Sequence, residues 1–481
     1  DRVGVKPLYY TLENGLVFGS EMRSIIPVLK NKETNPESIY EYFRFGYISD
    51  DKTIFSNVKK LSPGYYLHYK EGKTSLFPYW DAKDALKTSV PELSDKEWER
   101  RLHELLIDAF SKRMISDVPV GVFLSGGIDS SLVASLLQKN YGNIHTFTIG
   151  FDDERYNEAH IAKEVAQHLG TTHTEFTLNI SDAYDTLQGF YDIYSEPFAD
   201  SSGIPSTIVS KLAADAGIKV VLSGEGGDEL FCGYSRYNDV MVLHNKLKKI
   251  PHPIRKPFSS LAKGIDNSGI LNKLYRGNTE HKVAAGAELI GSQSLGDTYN
   301  AYIANQSHDE LKALLKDVPG NGIEIDLISE NMEGLMFYDM KTYLPDDLLV
   351  KMDRATMHNS IEGREPFLDH RIIELALQMP ENLKYRNGQS KWILRQILGK
   401  YVPDKFFNRP KKGFSIPIFK WFSEHLDNMF AHFLTHERIE KTGIFNTAEV
   451  LREYDKYKWN KKHNKEYNIE KMWRLLSFMM W

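Results

Sequence analysis

The chain has 481 residues, 41% hydrophobic and 26% charged, with a formal net charge of -5 and a pI near 6.4. A mildly acidic chain offers no electrostatic footprint for nucleic acid or a membrane surface, and no apolar run is long enough to span a bilayer. Its single cysteine, Cys232, excludes an internal disulfide framework and a cysteine-rich zinc site, and it suits a reducing cytoplasm. At roughly 150 residues per domain, this length predicts two or three compact units. The chain opens on Asp1, runs directly into "DRVGVKPLYY" and carries no signal peptide. It is therefore expected to be a fragment or processed product that lacks its true N-terminus.

The first 80 residues read as β-rich. "PLYYTLE" and "LVFGSE" are strand-like runs flanking Asn14-Gly15, a strong hairpin signal. "PESIYEYFRFGYI" has apolar residues at helical spacing, and "GYYLHYKEGKTSLFPYW" reads as a second hairpin. The polar stretch 81–96, with a proline and no strong period, marks a domain boundary.

From about residue 97 strand and helix alternate. "EWERRLHELLIDAFSKRMI" is an amphipathic helix, and "VPVGVFL" is a continuous apolar strand of the kind buried on both faces. The strands "HTFTIGF", "THTEFTL" and "KVVLSG" follow, separated by the helices "EAHIAKEVAQHLG" and "IPSTIVSKLAADAG", each of which ends on glycine. Repeated β-α-β units imply a parallel sheet with right-handed crossovers, and ligands of such sheets sit beyond the carboxyl ends of the strands. Two glycine turns fall at that edge: Ser125-Gly126-Gly127 and Ser223-Gly224-Glu225-Gly226-Gly227. Beyond residue 235 helices are expected, with a break at "PHPIRKP".

"FLSGGIDSSLV" ends a strand on two glycines and opens a helix, which suits an anion held by unpaired backbone N–H groups. Ser125, Ser130 and Ser131 add hydroxyl donors. No lysine follows the glycines, so this is not the loop that grips a γ-phosphate. Asp129 stands inside it instead, and a carboxylate beside phosphates calls for a divalent cation between them. The alternative is a plain Gly/Ser turn with Ser130 as the N-cap. "LSGEGGDELFCGY" then repeats the pattern of apolar strand, glycines and acids. Asp129 and Asp228 form the natural metal pair, with Glu225 and Tyr234 available for proton transfer or orientation.

In "LPDDLLVKMDRATMHNSIEGREPFLDHR" charges interleave with apolar residues, as structural ion pairs or as direct substrate contacts. His358 and His370 read as structural histidines, because no second ligand stands at metal spacing. Lys391, Arg395, Lys411 and Lys412 are either exposed charges or groups that return to neutralise phosphate. Cys232 reads as a small packed side chain.

With these stretches in view, the chain resembles the glutamine-hydrolysing asparagine synthetases. "SGGIDSS" matches their ATP-pyrophosphatase loop, which argininosuccinate, GMP and NAD synthetases share. "SGEGGDELFCGY", "LLVKMDRATMHNSIEGREPFLDHR", "SKWILR" and "RPKKGF" are similar to motifs of the asparagine synthetase group alone. "DRVGVKPLYY" with "FGSEMRSII" resembles the last third of the glutaminase domain.

The resemblance implies an α/β architecture. Residues 1–80 would be the end of an Ntn-hydrolase-type sandwich, 81–96 a linker, and 97–481 a parallel-sheet adenine-nucleotide α-hydrolase-like domain with a helical C-terminal region. Leu124, Ile149, Ser223 and Gly224 would help to hold ATP. Ser125, Gly126, Gly127, Asp129, Ser130 and Ser131 would wrap its pyrophosphate, with Mg2+ on Asp129 and Asp228. Glu225 would serve adenylation and amide formation, Tyr234 is the matching aromatic of the same motif, and Lys391 would stabilise charge at the adenylated carboxylate. The implied chemistry is carboxylate attack on the α-phosphorus, then ammonia attack on the acyl carbon, converting aspartate to asparagine. The same amidation on another carboxylate, such as a sugar acid, is the alternative.

Two departures bear on this. No residue corresponds to the glutaminase nucleophile, so the chain is expected to use ammonia and not to hydrolyse glutamine. Where the best-studied members carry a threonine-and-arginine stretch, "EPFADSSGIP" has Asp200, Ser201 and Ser202 and no arginine. Small-molecule substrates are the expected partners, and a homodimer is compatible with the sequence.

Overall fold

The computed structural model describes residues 1–87, 92–151, 157–267, 279–320, 322–408, 423–465 and 467–481. β1 (Tyr9–Thr11) and β2 (Val17–Gly19) pair antiparallel across a loop in which Asn14 and Gly15 take φ of 59° and 97°. That left-handed backbone is what makes Asn-Gly a hairpin signal. β3 (Val58–Lys60) pairs with the other edge of β1, giving the order β2-β1-β3. The helix Pro36–Phe45 lies between β2 and β3 in sequence. It is capped by the Asn35 side chain, has proline in its first turn and stops at left-handed Gly46. β4 (Tyr65–Lys70) and β5 (Lys73–Pro78) form the second hairpin.

The stretch 81–96 is more ordered than its composition suggests. It contains the helical turn Lys83–Leu86, and Ala82 is fully buried. Beside it, the Trp80 indole N–H donates to the Glu374 carboxylate at 2.9 Å. Residues 88–91 of that stretch lie outside the described residues.

After the helix Asp95–Arg113 come β6 (Val120–Phe123), β7 (His145–Phe151), β8 (Thr172–Leu178) and β9 (Val220–Leu222). All pair in parallel, in the order β10-β9-β6-β7-β8. The edge strand β10 (Glu362–Arg364) comes from the charge-rich motif and has no apolar run of its own; its backbone extends the ladder of β9. Phe147, Ile149 and Phe151 face one core, and Val122 and Leu124 face the other.

The first core also gathers Tyr40, Tyr42 and Phe43 from the first 80 residues and Trp473 and Phe478 from the last helix, Ile469–Met480. The start and end of the chain therefore share one hydrophobic interior. That helix is stapled to the 198–199 backbone: Trp473 Nε1 donates to the Ala199 carbonyl at 2.7 Å, and Ser477 Oγ to that of Phe198 at 2.6 Å.

Past residue 235 the described chain is mainly helical. The helices Ser235–Lys248 and His252–Asn267 are separated only at 249–251; the rest of the predicted break, 252–257, is helical, with Pro257 inside the second helix. No helix among the described residues is long and apolar enough to cross a membrane.

Candidate active site

β6 and β9 are neighbours in the sheet although β7 and β8 come between them in sequence. The strands are parallel, but the order of strand addition reverses between them, so their following turns open into one crevice, where parallel sheets bind ligands. The first turn leads into the helix Ile128–Tyr141, whose N-cap is Gly127 with no side-chain cap. Ser130 therefore lies inside the helix and is not its cap. Its hydroxyl accepts from the Ser125 backbone N–H at 3.1 Å and lies 2.9 Å from Ser125 Oγ, folding the loop on itself. Ser131 is buried and its hydroxyl has no hydrogen-bond partner. An uncapped N-terminus over glycines, backed by an unpartnered hydroxyl, fits a polyanion.

The two turns touch. A Cβ on Gly224 would sit 2.9 Å from Asp129 Cβ, and one on Gly227 would sit 2.5 Å from Asp129 Oδ1. Both distances are below ordinary carbon contacts, so glycine is what allows the Asp129 carboxylate to lie against the second turn. Gly227→Ala is expected to displace Asp129 and lower turnover at this site about a hundredfold, the usual cost of a 1 Å misplacement at a reacting centre. Steady-state assay with circular dichroism checks this; unchanged turnover in a folded variant would contradict it.

Lys391 closes the cluster. It sits in left-handed backbone at φ 56°, and its N–H donates to the Phe231 carbonyl at 3.1 Å. Its buried ammonium bonds the Asp129 carboxylate and reaches Asp228 Oδ1 at 2.7 Å. Burial opposes its charge, but Asp129 and Asp228 outweigh that and hold its pKa above the usual lysine value. Two hard carboxylate donors converging on one cation position match what Mg2+ takes from a protein when phosphates supply its other ligands. No group of three or more His, Cys, Asp or Glu arranged for a metal occurs among the described residues.

Ser223, at the end of β9, bonds the buried Glu365 carboxylate through its hydroxyl and accepts from the Glu225 N–H at 3.3 Å. Burial pushes the Glu365 carboxyl up to about 7. Burial also raises Glu225, against the nearby Lys351 cation. The Tyr234 hydroxyl donates to Glu229 at 2.7 Å, and the Arg236 guanidinium lies 4.0 Å over the Tyr234 ring. Tyr234 is thus committed to a neighbouring acid. Leu124 and Ile149 lie in the buried layers at the ends of β6 and β7, where the Leu124 carbonyl accepts from the Thr148 hydroxyl.

Glu229 is pushed up to about 8, chiefly by burial. An unfolded glutamate titrates near about 4.3, so between there and about 8 the native state keeps a proton that the unfolded chain has lost. Stability therefore falls as pH rises through that window. Glu229→Gln keeps an acceptor for Tyr234 and should gain in melting temperature over the parent as pH rises from ~4.5 to ~8. A difference independent of pH would contradict this.

The charge-rich motif is largely structural. Lys60–Asp346 at 2.5 Å and Lys6–Asp353 at 2.8 Å tie it to the first 80 residues, as does Arg354, which donates to the Ser20 carbonyl. Lys351 bonds Asp200 at 2.9 Å and Ser202 Oγ at 3.0 Å. His370 lies 3.7 Å from Asp369. Arg395 donates to the carbonyls of Ser390 and Phe407. Cys232 is buried, 3.1 Å from Met332 Sδ, and burial pushes its thiol up to about 12, so it is an inert packed side chain. Lys411 and Lys412 lie outside the described residues.

Glu365 and Asp347 were not singled out by sequence. Glu365 follows a charged strand too short to register as one, and Asp347 sits on the π-helical turn Leu344–Leu348, an irregularity with no sequence signature.

Residues 101–481 match the family model for asparagine synthase, and residues 1–80 match that for a glutamine amidotransferase domain. A glutamine-hydrolyzing asparagine synthetase 1 of Bacillus subtilis is 29% identical over 491 residues, covering 100% of this chain and 74% of that protein. Amidase chyE of Penicillium rubens is 27% identical over 488 residues, covering 92% of this chain and 71% of its own length.

Proposed function

The chain belongs to the asparagine synthase family, and from that premise we propose that it amidates aspartate to asparagine through a β-aspartyl-adenylate, releasing AMP and pyrophosphate. The observation that carries this reading is the meeting of both glycine turns with Lys391, around Asp129 and Asp228.

The loop Ser125–Ser131 and the helix start behind it hold the pyrophosphate, with Leu124, Ile149, Ser223 and Gly224 bordering the nucleotide. Mg2+ held by Asp129 and Asp228 would offset charge on the departing pyrophosphate. An aspartate β-carboxylate oxygen attacks the α-phosphorus, and the bond from that phosphorus to the β-phosphate oxygen breaks. Lys391 stabilises the negative charge at this centre. Ammonia then attacks the acyl carbon, Glu225 takes a proton from the nitrogen, and the acyl–oxygen bond breaks to free AMP. Tyr234 acts through Glu229 as a positioning residue. The division into an amidotransferase part over 1–80 and a synthetase part over 97–481 belongs to the same reading, as does a cytoplasmic setting.

Ammonium is the nitrogen source of this 481-residue chain, since the Cys232 thiol is buried and inert. Incubation with glutamine should release no glutamate, and release would contradict this. Incubation with MgATP, ammonium and a panel of carboxylates tests the acceptor. Asparagine among the products supports the proposal. AMP formation with a uronic acid but not with aspartate would move the enzyme to another acceptor.

A further inference from the structure

Residues 240–265 carry six lysines and arginines and no acid, in a chain whose net charge is -5. They span most of the helices Ser235–Lys248 and His252–Asn267 and the turn between them. The second of these packs on the helix Thr279–Gly291 with its polar side inward. Buried Arg255 donates to the carbonyls of Ile290 at 2.6 Å and Ser292 at 2.9 Å. These lie at the C-terminus of the neighbouring helix, where carbonyls lack helical partners and a cation is favoured. Buried Ser259, one turn on, donates to the Ala287 carbonyl at 2.8 Å. Gly291 makes room for it, since a Cβ there would stand 2.9 Å from the Ser259 hydroxyl.

That packing turns the apolar side outward. Ile254 and Phe258, one turn apart, are 56% and 63% exposed, and Ile250 in the preceding turn is 49% exposed. Apolar surface left in water is stabilised by whatever covers it. Lys246, Lys248, Lys249 and Lys256 are exposed on the same stretch and form no ion pair among the described residues. Acids on the segments packed around it are engaged elsewhere. Glu288 pairs with Arg44, while Asp297 and Glu330 accept from the backbone N–H groups of Ser294 and Leu295. The result is an apolar ridge among unpaired cations.

We propose that this face docks on an anionic membrane surface, with Ile250, Ile254 and Phe258 among the acyl chains and the lysines at the headgroup phosphates. Charge complementarity argues for that occupant. A face with four exposed lysines matches anionic headgroups, whereas the same face of a second copy would set lysine against lysine. A helix with exposed Ile and Phe beside lysines has the composition of one that lies in the plane of the interface. Lysine stems lie along apolar surface while their ammonium groups reach the phosphates. No helix among the described residues is long and apolar enough to cross a membrane, so the contact is peripheral. The net charge of the whole chain conceals this basic stretch. The crevice residues lie on other elements, so the docking is independent of which carboxylate is amidated.

Sedimentation of the full chain with lipid vesicles tests this. Binding to vesicles of equal parts phosphatidylcholine and phosphatidylglycerol should exceed binding to pure phosphatidylcholine by about tenfold or more. It should fall steeply as salt rises from ~0.05 to ~0.5 M, because screening weakens the lysine contacts. Ile254→Ser combined with Phe258→Ser should lower it about tenfold, as should Lys248→Glu combined with Lys249→Glu, with turnover in solution within twofold of the parent. Phe258→Cys carrying an environment-sensitive dye reads insertion, because the buried, inert Cys232 does not compete for the label. Its emission should shift to the blue on anionic vesicles. Absence of binding to anionic vesicles, or an unshifted dye, would overturn the proposal. Equal, salt-independent binding to both kinds of vesicle would overturn it too. Binding to polyglutamate but not to vesicles would give the face to an acidic protein instead. Self-association that the serine variant abolishes, without vesicle binding, would give it to a second copy.

Discussion

Lys391→Met is expected to lower pyrophosphate release by roughly 10²–10³-fold, the loss typical when one preorganised charge stabiliser is removed from a reacting centre. The variant should also be less stable by about 3–5 kcal/mol, since removing one member of a buried ionic cluster leaves the others uncompensated. Here the others are Asp129 and Asp228, two carboxylates that share the lysine. Their repulsion leads to a second outcome: added Mg2+ should raise the melting temperature of Lys391→Met more than that of the parent. Single-turnover kinetics with quenched product analysis separates the chemical step from nucleotide binding. Parent-like turnover in the variant would remove Lys391 from the chemistry.

Asp228→Asn is the second large effect. If Asp129 and Asp228 hold the cation between them, losing one should raise the Mg2+ needed for half-maximal activity at least tenfold. It should also reduce the maximal rate by roughly a hundredfold, in line with the several kcal/mol a metal contributes to charge stabilisation. Asp129→Asn should behave alike, with an added loss because Asp129 also packs against Gly224 and Gly227. A Mg2+ titration of pyrophosphate release checks both. An unshifted midpoint would place the cation elsewhere.

What could be read from the sequence follows from locality. The turns after β6 and β9 each sit within a short apolar-strand-to-helix pattern, so their glycines and acids were visible, and their shared sheet edge paired Asp129 with Asp228. Their contact depends on β9 crossing back beside β6, which sets the register Val120↔Val220; chain direction alone does not reveal this. β10 was not visible because Glu362–Arg364 has no apolar alternation and is a strand only through pairing with β9. Lys391 was visible as one of several late basic residues, and family likeness singled it out. Its left-handed backbone and its approach to acids more than a hundred residues away are tertiary facts.

The central claim is that the acceptor carboxylate becomes bonded to the α-phosphorus. L-Aspartate labelled with oxygen-18 in its β-carboxylate, incubated with the chain, MgATP and ammonium, tests this most directly by mass analysis of the products. The predicted result is one labelled oxygen in AMP, the other retained in the side-chain amide of asparagine, and unlabelled pyrophosphate formed in equal amount. Label in inorganic phosphate, accompanied by ADP, would contradict it.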